Sequence, residues 1–284
     1  MPEISVIIPV FNEEQAVGGV IDELVKTLAR LPVEYEIIAV DDGSTDDTKT
    51  ILKARGVDIL EHVYNMGYGA SIKTGLRHAS GSKVLIIDGD GTYPPGEIAK
   101  LFEHKDDYDM VVGSRTGDSV NVEAYRKPAK FILNQLANYL SGVKIPDLNS
   151  GLRIISREKA LEFLELCPSG FSFTTTITLA FLSNDYTVKY VPINYGRRVG
   201  ESKIRPIRDG MNFMILIIRS IVYFNPLKVF LPVSALLFTA SLAVFLYSWV
   251  ILGRVMDITV TVILMSSVQV ALFGLLADML AKKK

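Results

Sequence analysis

The run Val84-Leu85-Ile86-Ile87, followed at once by Asp88-Gly89-Asp90, restricts the fold of this chain more than any other stretch. Most of it is β-branched, which favours an extended backbone, and with no polar position neither face of the strand can meet water. A strand apolar on both faces belongs inside a sheet covered by helices. Its carboxylates then fall at the C-terminal end, where open α/β sheets bind ligands. If strand geometry persists through Gly89, side-chain alternation aims Asp88 and Asp90 to the same side. Two hard oxygen donors at one point suit Mg2+ or Mn2+ carrying a substrate phosphate, since these cations take few carboxylates and complete their shell with water and phosphate oxygens. The plainer alternative is an acidic strand end leading into the turn Gly91-Thr92-Tyr93-Pro94-Pro95.

The rest of the N-terminal half repeats a strand followed by a helix. Ile4 to Val10 reads as a buried strand closed by Pro9, with a helix from Phe11-Asn12-Glu13-Glu14 to near Leu31. Tyr35 to Val40 is a second strand, Asp41 to Asp47 its turn, and Asp47 to Arg55 a helix with an acidic first turn. A short strand at Val57 to Glu61, a helix from Ala70 to Ala79, the central strand, a helix from Glu97 to His104 and a strand at Asp109 to Gly113 complete the series. This alternation predicts an α/β fold with a mostly parallel, doubly wound sheet and helices on both faces. Beyond Ser114 the pattern is less regular. Helices are expected at Ala129 to Leu140, Glu158 to Leu166 and Ser172 to Leu182, and strands at Leu152 to Ile155 and Thr187 to Pro192, completing the sheet and supplying the second substrate's site.

The C-terminal part obeys a different pattern. No charged residue occurs from Val229 to Leu252 and only Asp278 interrupts Ile258 to Leu280, so each run can cross a hydrocarbon core of ~30 Å. The short connection Gly253 to Asp257 makes them a transmembrane hairpin. Lys228, Arg219, Arg208 and Arg205 precede the first span and Lys282 to Lys284 follow the second, against Arg254 alone at the tip. The positive-inside rule therefore puts the N-terminal domain and both termini in the cytoplasm. The segment Ile207 to Phe224 gathers Met211, Met214, Ile215, Ile218, Ile221 and Val222 largely on one side, as a helix lying in the membrane interface would. The expected organisation is an N-terminal α/β domain over 1–204, an interfacial region over 205–227 and a hairpin over 228–284. Met1-Pro2-Glu3 lacks the basic start of a signal peptide. The lone Cys167 fits a reducing compartment and a packing role. His62, His78 and His104 have no metal-ligand spacing and read as surface or edge residues, and a net charge of -1 argues against a nucleic-acid partner.

Asp41-Asp42-Gly43-Ser44-Thr45-Asp46 ends the second strand on the same side of the sheet as Asp88 and Asp90. Its carboxylates can accept hydrogen bonds from ribose hydroxyls or a base N–H, or the segment can be an ordinary acidic loop capping the next helix. Asn65-x-Gly67-x-Gly69 either brings backbone amides to a phosphate or permits close helix packing. With Ile8-Pro9-Val10-Phe11-Asn12-Glu13, Asp88-x-Asp90 and Asp147-Leu148-Asn149-Ser150-Gly151, these motifs occur in the order seen in inverting family 2 glycosyltransferases. The chain resembles, within that family, the dolichyl- or polyprenyl-phosphate hexose synthases. The resemblance covers roughly Ile4 to Lys203 and extends loosely to the hairpin.

The resemblance implies a GT-A fold and a nucleotide-sugar site. Pro9, Phe11, Glu13 and Asp41 would hold the nucleoside, with Asp42, Asp147 and Ser150 in the same site, Asp88 on the ribose or sugar side, and Asp90 on the metal at the diphosphate. Many relatives carry Gln where this chain has Thr92, and many carry an acidic residue within the segment here written Thr174-Thr175-Thr176. The basic residues Arg115, Arg126, Lys127, Arg197, Arg198 and Lys203 lie between the nucleotide motifs and the membrane segment. A phosphate monoester with a second pKa near ~6 is already largely a dianion, so a polyprenyl phosphate acceptor requires a cationic cradle rather than a strong base. The resemblance assigns that role to Arg115, Arg126, Arg198 and Lys203, while attraction to anionic lipid accounts for Arg205 and Arg208. The expected partners are a nucleotide sugar such as GDP-mannose or UDP-glucose, polyprenyl phosphate and membrane lipid. Self-association as a homo-oligomer is compatible with the sequence and not specified by it. A processive polysaccharide synthase is the enzymatic rival, but its Gln-x-x-Arg-Trp is missing and the only Trp, Trp249, falls in a membrane span. A membrane scaffold that binds nucleotide sugar without turnover is the non-enzymatic rival.

Overall fold

The computed structural model describes residues 2–117, 135, 138–139, 142–170, 172–196, 218–219, 222–223, 225–254 and 256–281. The chain divides into two compact units, Met1–Leu216 and Ile217–Lys284. The first is built on a seven-stranded sheet of order β3-β2-β1-β4-β6-β5-β7, where β1 is Ile4–Val10, β2 Tyr35–Asp41, β3 Asp58–Glu61, β4 Lys83–Ile86, β5 Met110–Ser114, β6 Arg153–Ser156 and β7 Val188–Pro192. All neighbours run parallel except β6, which is antiparallel to both β4 and β5. The irregular second half of the sequence thus completes the sheet by inserting β6 between two strands that precede it.

Burial on both faces follows from the apolar runs. Ile4, Val6, Ile8 and Val10 pack with Val17, Ile21, Leu24 and Leu28 of helix α1 (Val17–Leu28), and Ile98 and Leu101 of α4 (Ile98–Phe102) join the same core. Ile7 points the other way, toward helix α3 (Tyr68–His78), where a side chain on Gly75 would collide with it at 2.6 Å. Helix α2 is Thr48–Ala54, α5 Arg157–Glu162 and α6 Phe173–Ser183. Pro9 sits inside β1 rather than ending it: pairing with β4 stops at Ile7, so the missing amide falls beyond the stretch bonded on both sides. Helix α1 starts later than its sequence suggests, because the Glu13 carbonyl takes the amides of Ala16 and Val17 in a preceding turn. α5 is shorter than expected, and the helix expected over 129–140 lies outside the described residues apart from single positions.

The second unit holds two helices long and apolar enough to cross a membrane, α7 (Leu227–Val250) and α8 (Asp257–Ala281). They pack through small residues. Ser234 donates to the Ser267 carbonyl and Ser267 to the Ser234 carbonyl, each at 2.9 Å, Ser241 donates to the Val260 carbonyl at 3.0 Å, and Gly274 lies against Phe230. Outward faces carry exposed Leu236, Phe238, Trp249, Leu264, Phe273 and Leu276, which is the distribution expected of helices solvated by lipid. The expected interfacial helix over 207–224 lies almost wholly outside the described residues.

Candidate active site

A cavity of about 460 Å³ opens at the C-terminal ends of β1, β2 and β4, where the parallel strands stop and their loops diverge. Pro9 and Val10 at the end of β1, with Phe11 and Glu13 of the loop that follows, form one wall. The loop after β1 is tied to the loop after β2: Asn12 N donates to Ser44 Oγ at 2.9 Å, Thr45 N to Asn12 Oδ1 at 2.8 Å and Glu13 N to Thr48 Oγ1 at 2.9 Å. Asn12 accepts a φ of 53° to make these bonds, a conformation Asn tolerates better than most residues.

The two aspartates after β2 have separate duties. Asp41 accepts the Ser44 amide at 3.0 Å and does not line the cavity, so the structure places it as a turn-forming residue rather than a wall residue. Asp42 does line the cavity, and it accepts the amides of Met66 at 2.9 Å and Gly67 at 2.8 Å and bonds His62 Nδ1 at 2.7 Å. The amides of the Asn65-x-Gly67 segment are therefore directed to a carboxylate. Gly69 has a packing reason for being glycine, since a Cβ there would lie 2.2 Å from the Pro168 carbonyl. His62, expected at the surface or an edge, follows the edge strand β3 and turns its ring inward. Its side chain is 8% exposed, and its second ring nitrogen bonds Thr74 Oγ1 at 2.9 Å. With Asp42 accepting only, Nδ1 carries the proton between them. His78 is exposed and paired with Asp58, and His104 stacks edge-on with Tyr108.

Asp88 and Asp90 both line the cavity, but strand alternation does not bring them there. β4 ends at Ile86, and residues 89–90 form a turn completed by Gly91 at a φ of 75°. Tyr68 OH donates to Asp88 Oδ1 at 2.9 Å, and the carboxylate lies over Gly151, where a Cβ would fall 2.6 Å from Oδ2. Thr92 orients Asp90, giving both its amide at 3.1 Å and its hydroxyl at 2.6 Å to Oδ1. The donor set suits a divalent cation: both carboxylates are presented to one cavity, with room for water and phosphate oxygens to complete a shell.

Arg115, after β5, is held in a fork: Nε donates to Asp147 Oδ2 at 2.7 Å and Nη2 to Oδ1 at 2.9 Å, while the Arg115 amide adds a third bond at 3.0 Å. Its guanidinium lies 5.2 Å from the centre of the Tyr195 ring. Burial works against its charge, but the neighbouring Tyr93 hydroxyl and the hydrogen bonds to Asp147 outweigh it and hold the pKa well above the ordinary value. Asp147 and Ser150, which the resemblance puts in the nucleotide-sugar site, sit behind the cavity wall. Neither lines the cavity: Asp147 serves Arg115, and the fully buried Ser150 donates to the Gly113 carbonyl at 2.5 Å. Arg126, Lys127, Arg197, Arg198 and Lys203 lie outside the described residues. Sequence reasoning did not anticipate Tyr68, Ser71, Tyr93 or Tyr195, and it quoted Asn149 and Thr174 without giving them a role; all six line the cavity. Tyr93 OH accepts the Gly151 amide at 2.7 Å, and burial pushes its pKa well up. Thr174 donates to Asn149 Oδ1 at 2.7 Å. Burial raises the Cys167 thiol to about 12, in keeping with a packing role.

The profile of Glycosyl transferase family 2 matches residues 5–164, and that of the GtrB C-terminal hairpin matches residues 225–282. The chain belongs to glycosyl transferase family 2. An uncharacterized protein of Methanocaldococcus jannaschii is 32% identical over 67% of this chain and 80% of its own length. Dodecaprenyl-phosphate galacturonate synthase of Rhizobium johnstonii is 28% identical over 99% of this chain and 88% of its own. Undecaprenyl-phosphate 4-deoxy-4-formamido-L-arabinose transferase of Proteus mirabilis is 28% identical over 71% of this chain and 62% of its own. Glucosyl-3-phosphoglycerate synthase of Mycobacterium tuberculosis, solved with Mn2+, UDP and its product, superposes with a TM-score of 0.60 at 20% identity over 77% of this chain and 80% of that one, a likeness of fold. The protein is accordingly a GT-A-like glycosyltransferase with a C-terminal hairpin of two helices long and apolar enough to cross a membrane, and polyprenyl-phosphate sugar transferases are among its relatives.

Proposed function

We propose that this glycosyltransferase moves one hexose or hexuronate from a nucleotide sugar to a polyprenyl phosphate on the cytoplasmic face of a membrane, with inversion at the anomeric carbon. The observation that carries this reading is the convergence in one cavity of Asp88 and Asp90 with the locked guanidinium of Arg115, in a chain that also bears the hairpin. A Mg2+ or Mn2+ ion held by Asp88 and Asp90 would neutralise charge on the departing nucleoside diphosphate. Glu13 and Asp42 line the nucleoside end as hydrogen-bond acceptors. Arg115, with Arg126, Arg198 and Lys203, holds the acceptor phosphate, whose oxygen forms the new bond to the anomeric carbon as the bond to the donor's diphosphate oxygen breaks. The attacking oxygen is already anionic, so no proton has to be removed. A neutral Thr174 bound to Asn149 is compatible with that chemistry.

Incubation of the full-length protein with UDP-glucose, GDP-mannose, UDP-galacturonate and one polyprenyl phosphate should yield lipid-extractable label from one of these donors. Asp90→Asn should abolish label transfer while leaving the melting temperature within a few degrees, and chelation should do the same to the wild type. Undiminished transfer by Asp90→Asn would remove the carboxylate from the mechanism.

A further inference from the structure

Arg153, at the start of β6, has no exposed surface. Among the described residues every acceptor it finds is neutral. Nη1 donates to the Thr174 carbonyl at 3.2 Å and Thr178 Oγ1 at 3.1 Å, with Met110 Sδ at 3.6 Å, and Nη2 donates to the Ser150 carbonyl at 2.5 Å. Nε has no hydrogen-bond partner among them, nor has the nearby buried Tyr190 hydroxyl. The titratable groups facing it are Tyr68 of α3, Tyr190 of β7, Tyr93 and Cys167 from the loops, and Asp147. The carboxylate in that set, Asp147, is already forked to the partly exposed Arg115 and makes no hydrogen bond to Arg153.

Such a charge is costly. Removing a guanidinium from water without an ion pair opposes folding, and burial pulls the Arg153 pKa below its ordinary value. A clamp between the Ser150 and Thr174 carbonyls would require only hydrogen-bond donors, which a neutral amide supplies. The segments it clamps are those that present Asn149, Gly151 and Thr174 to the cavity. We propose that Arg153 is a positioning residue whose buried positive charge stabilises phosphate-bearing substrates in the adjoining cavity while its hydrogen bonds hold that wall in place. This rests on the transfer reaction proposed above.

Wild type, Arg153→Lys and Arg153→Gln are compared as full-length protein in detergent, by calorimetric affinity for UDP and GDP and by kcat/KM with the donor the wild type uses. Melting temperatures are recorded for each. Arg153→Gln should lose at least ~tenfold in both quantities, whereas Arg153→Lys should stay within about threefold near pH 6. A lysine buried there has a depressed pKa, so raising the pH toward about 9 removes its charge and the ratio of its activity to that of the wild type should fall. Equal losses in the two variants, or a Lys profile parallel to the wild type, would overturn the proposal. If Arg153→Gln does not fold, the Lys profile decides. A wild type that binds UDP or GDP but transfers nothing sinks the transfer reaction and leaves Arg153 to be judged on affinity, while one that binds neither overturns both.

Discussion

Gly151 is glycine because the Asp88 carboxylate occupies the space a Cβ would take. Gly151→Ala should therefore displace Asp88 and lower kcat by at least ~tenfold, with a smaller effect on the melting temperature than a core truncation of ~2 to 5 kcal/mol would have. Steady-state kinetics beside thermal unfolding checks this, and unchanged kcat would show that Asp88 can move without cost. His62→Ala should act on the donor: leaving Asp42 without its imidazole partner loosens the 62–67 segment and raises the donor's KM by roughly threefold to tenfold, with acceptor KM unchanged. At this scale the sequence was legible where a motif is compact. Asp88 and Asp90 reach the cavity as the pattern implied, though through a turn, whereas Asp41, Asp147 and Ser150 serve neighbouring groups. Which acidic residue faces the cavity and which braces another depends on loop geometry that no spacing encodes. Arg153 did leave a signal, a lone charge among Leu152, Ile154 and Ile155, but not what it bonds.

Strands and helices were read more faithfully than side-chain roles, because two-sided apolar runs such as Val84 to Ile87 have few folded solutions. The order of the strands was not readable. Nothing in Arg153–Ser156 says that it runs antiparallel between β4 and β5, since that follows from where its loops deliver it. The hairpin was legible from charge depletion, its internal contacts only in part. Gly274→Leu should separate α7 from α8 at Phe230 and lower the melting temperature of the solubilised full-length protein, whereas Thr261→Leu, on an exposed position, should leave it unchanged. If both behave alike, the contact at Gly274 does not support the hairpin. Truncation after Asn225 should leave a protein that binds nucleotide sugar yet transfers poorly to a long-chain acceptor. Equal rates on short- and long-chain acceptors would make the hairpin incidental.

Across the whole molecule, acid should unfold the catalytic unit early. Burial alone would raise Glu36, but hydrogen bonds from Ser5, Ser80 and Gly81 outweigh it and lower its pKa. Asp109 behaves alike, with Lys159 and Thr187 overcoming burial. Because these folded-state values lie below the ordinary 4.5 and 3.8, the stability they contribute is complete above about pH 4.5 and is lost as pH falls through the lowered values. Melting temperatures measured from pH 7 to about pH 3 should fall most steeply below pH 4.5, and less steeply in Glu36→Gln. The insertion of β6 also bears on the order of synthesis. A nascent chain can align β3, β2, β1 and β4 once Ile86 has emerged, but the open flank of β4 then offers Val84, Leu85 and Ile86 unpaired until β6 arrives far later in translation. In that interval the half-made sheet has an adhesive side, and a ribosome stalled between β4 and β6 should expose a chain prone to aggregate or to recruit a chaperone.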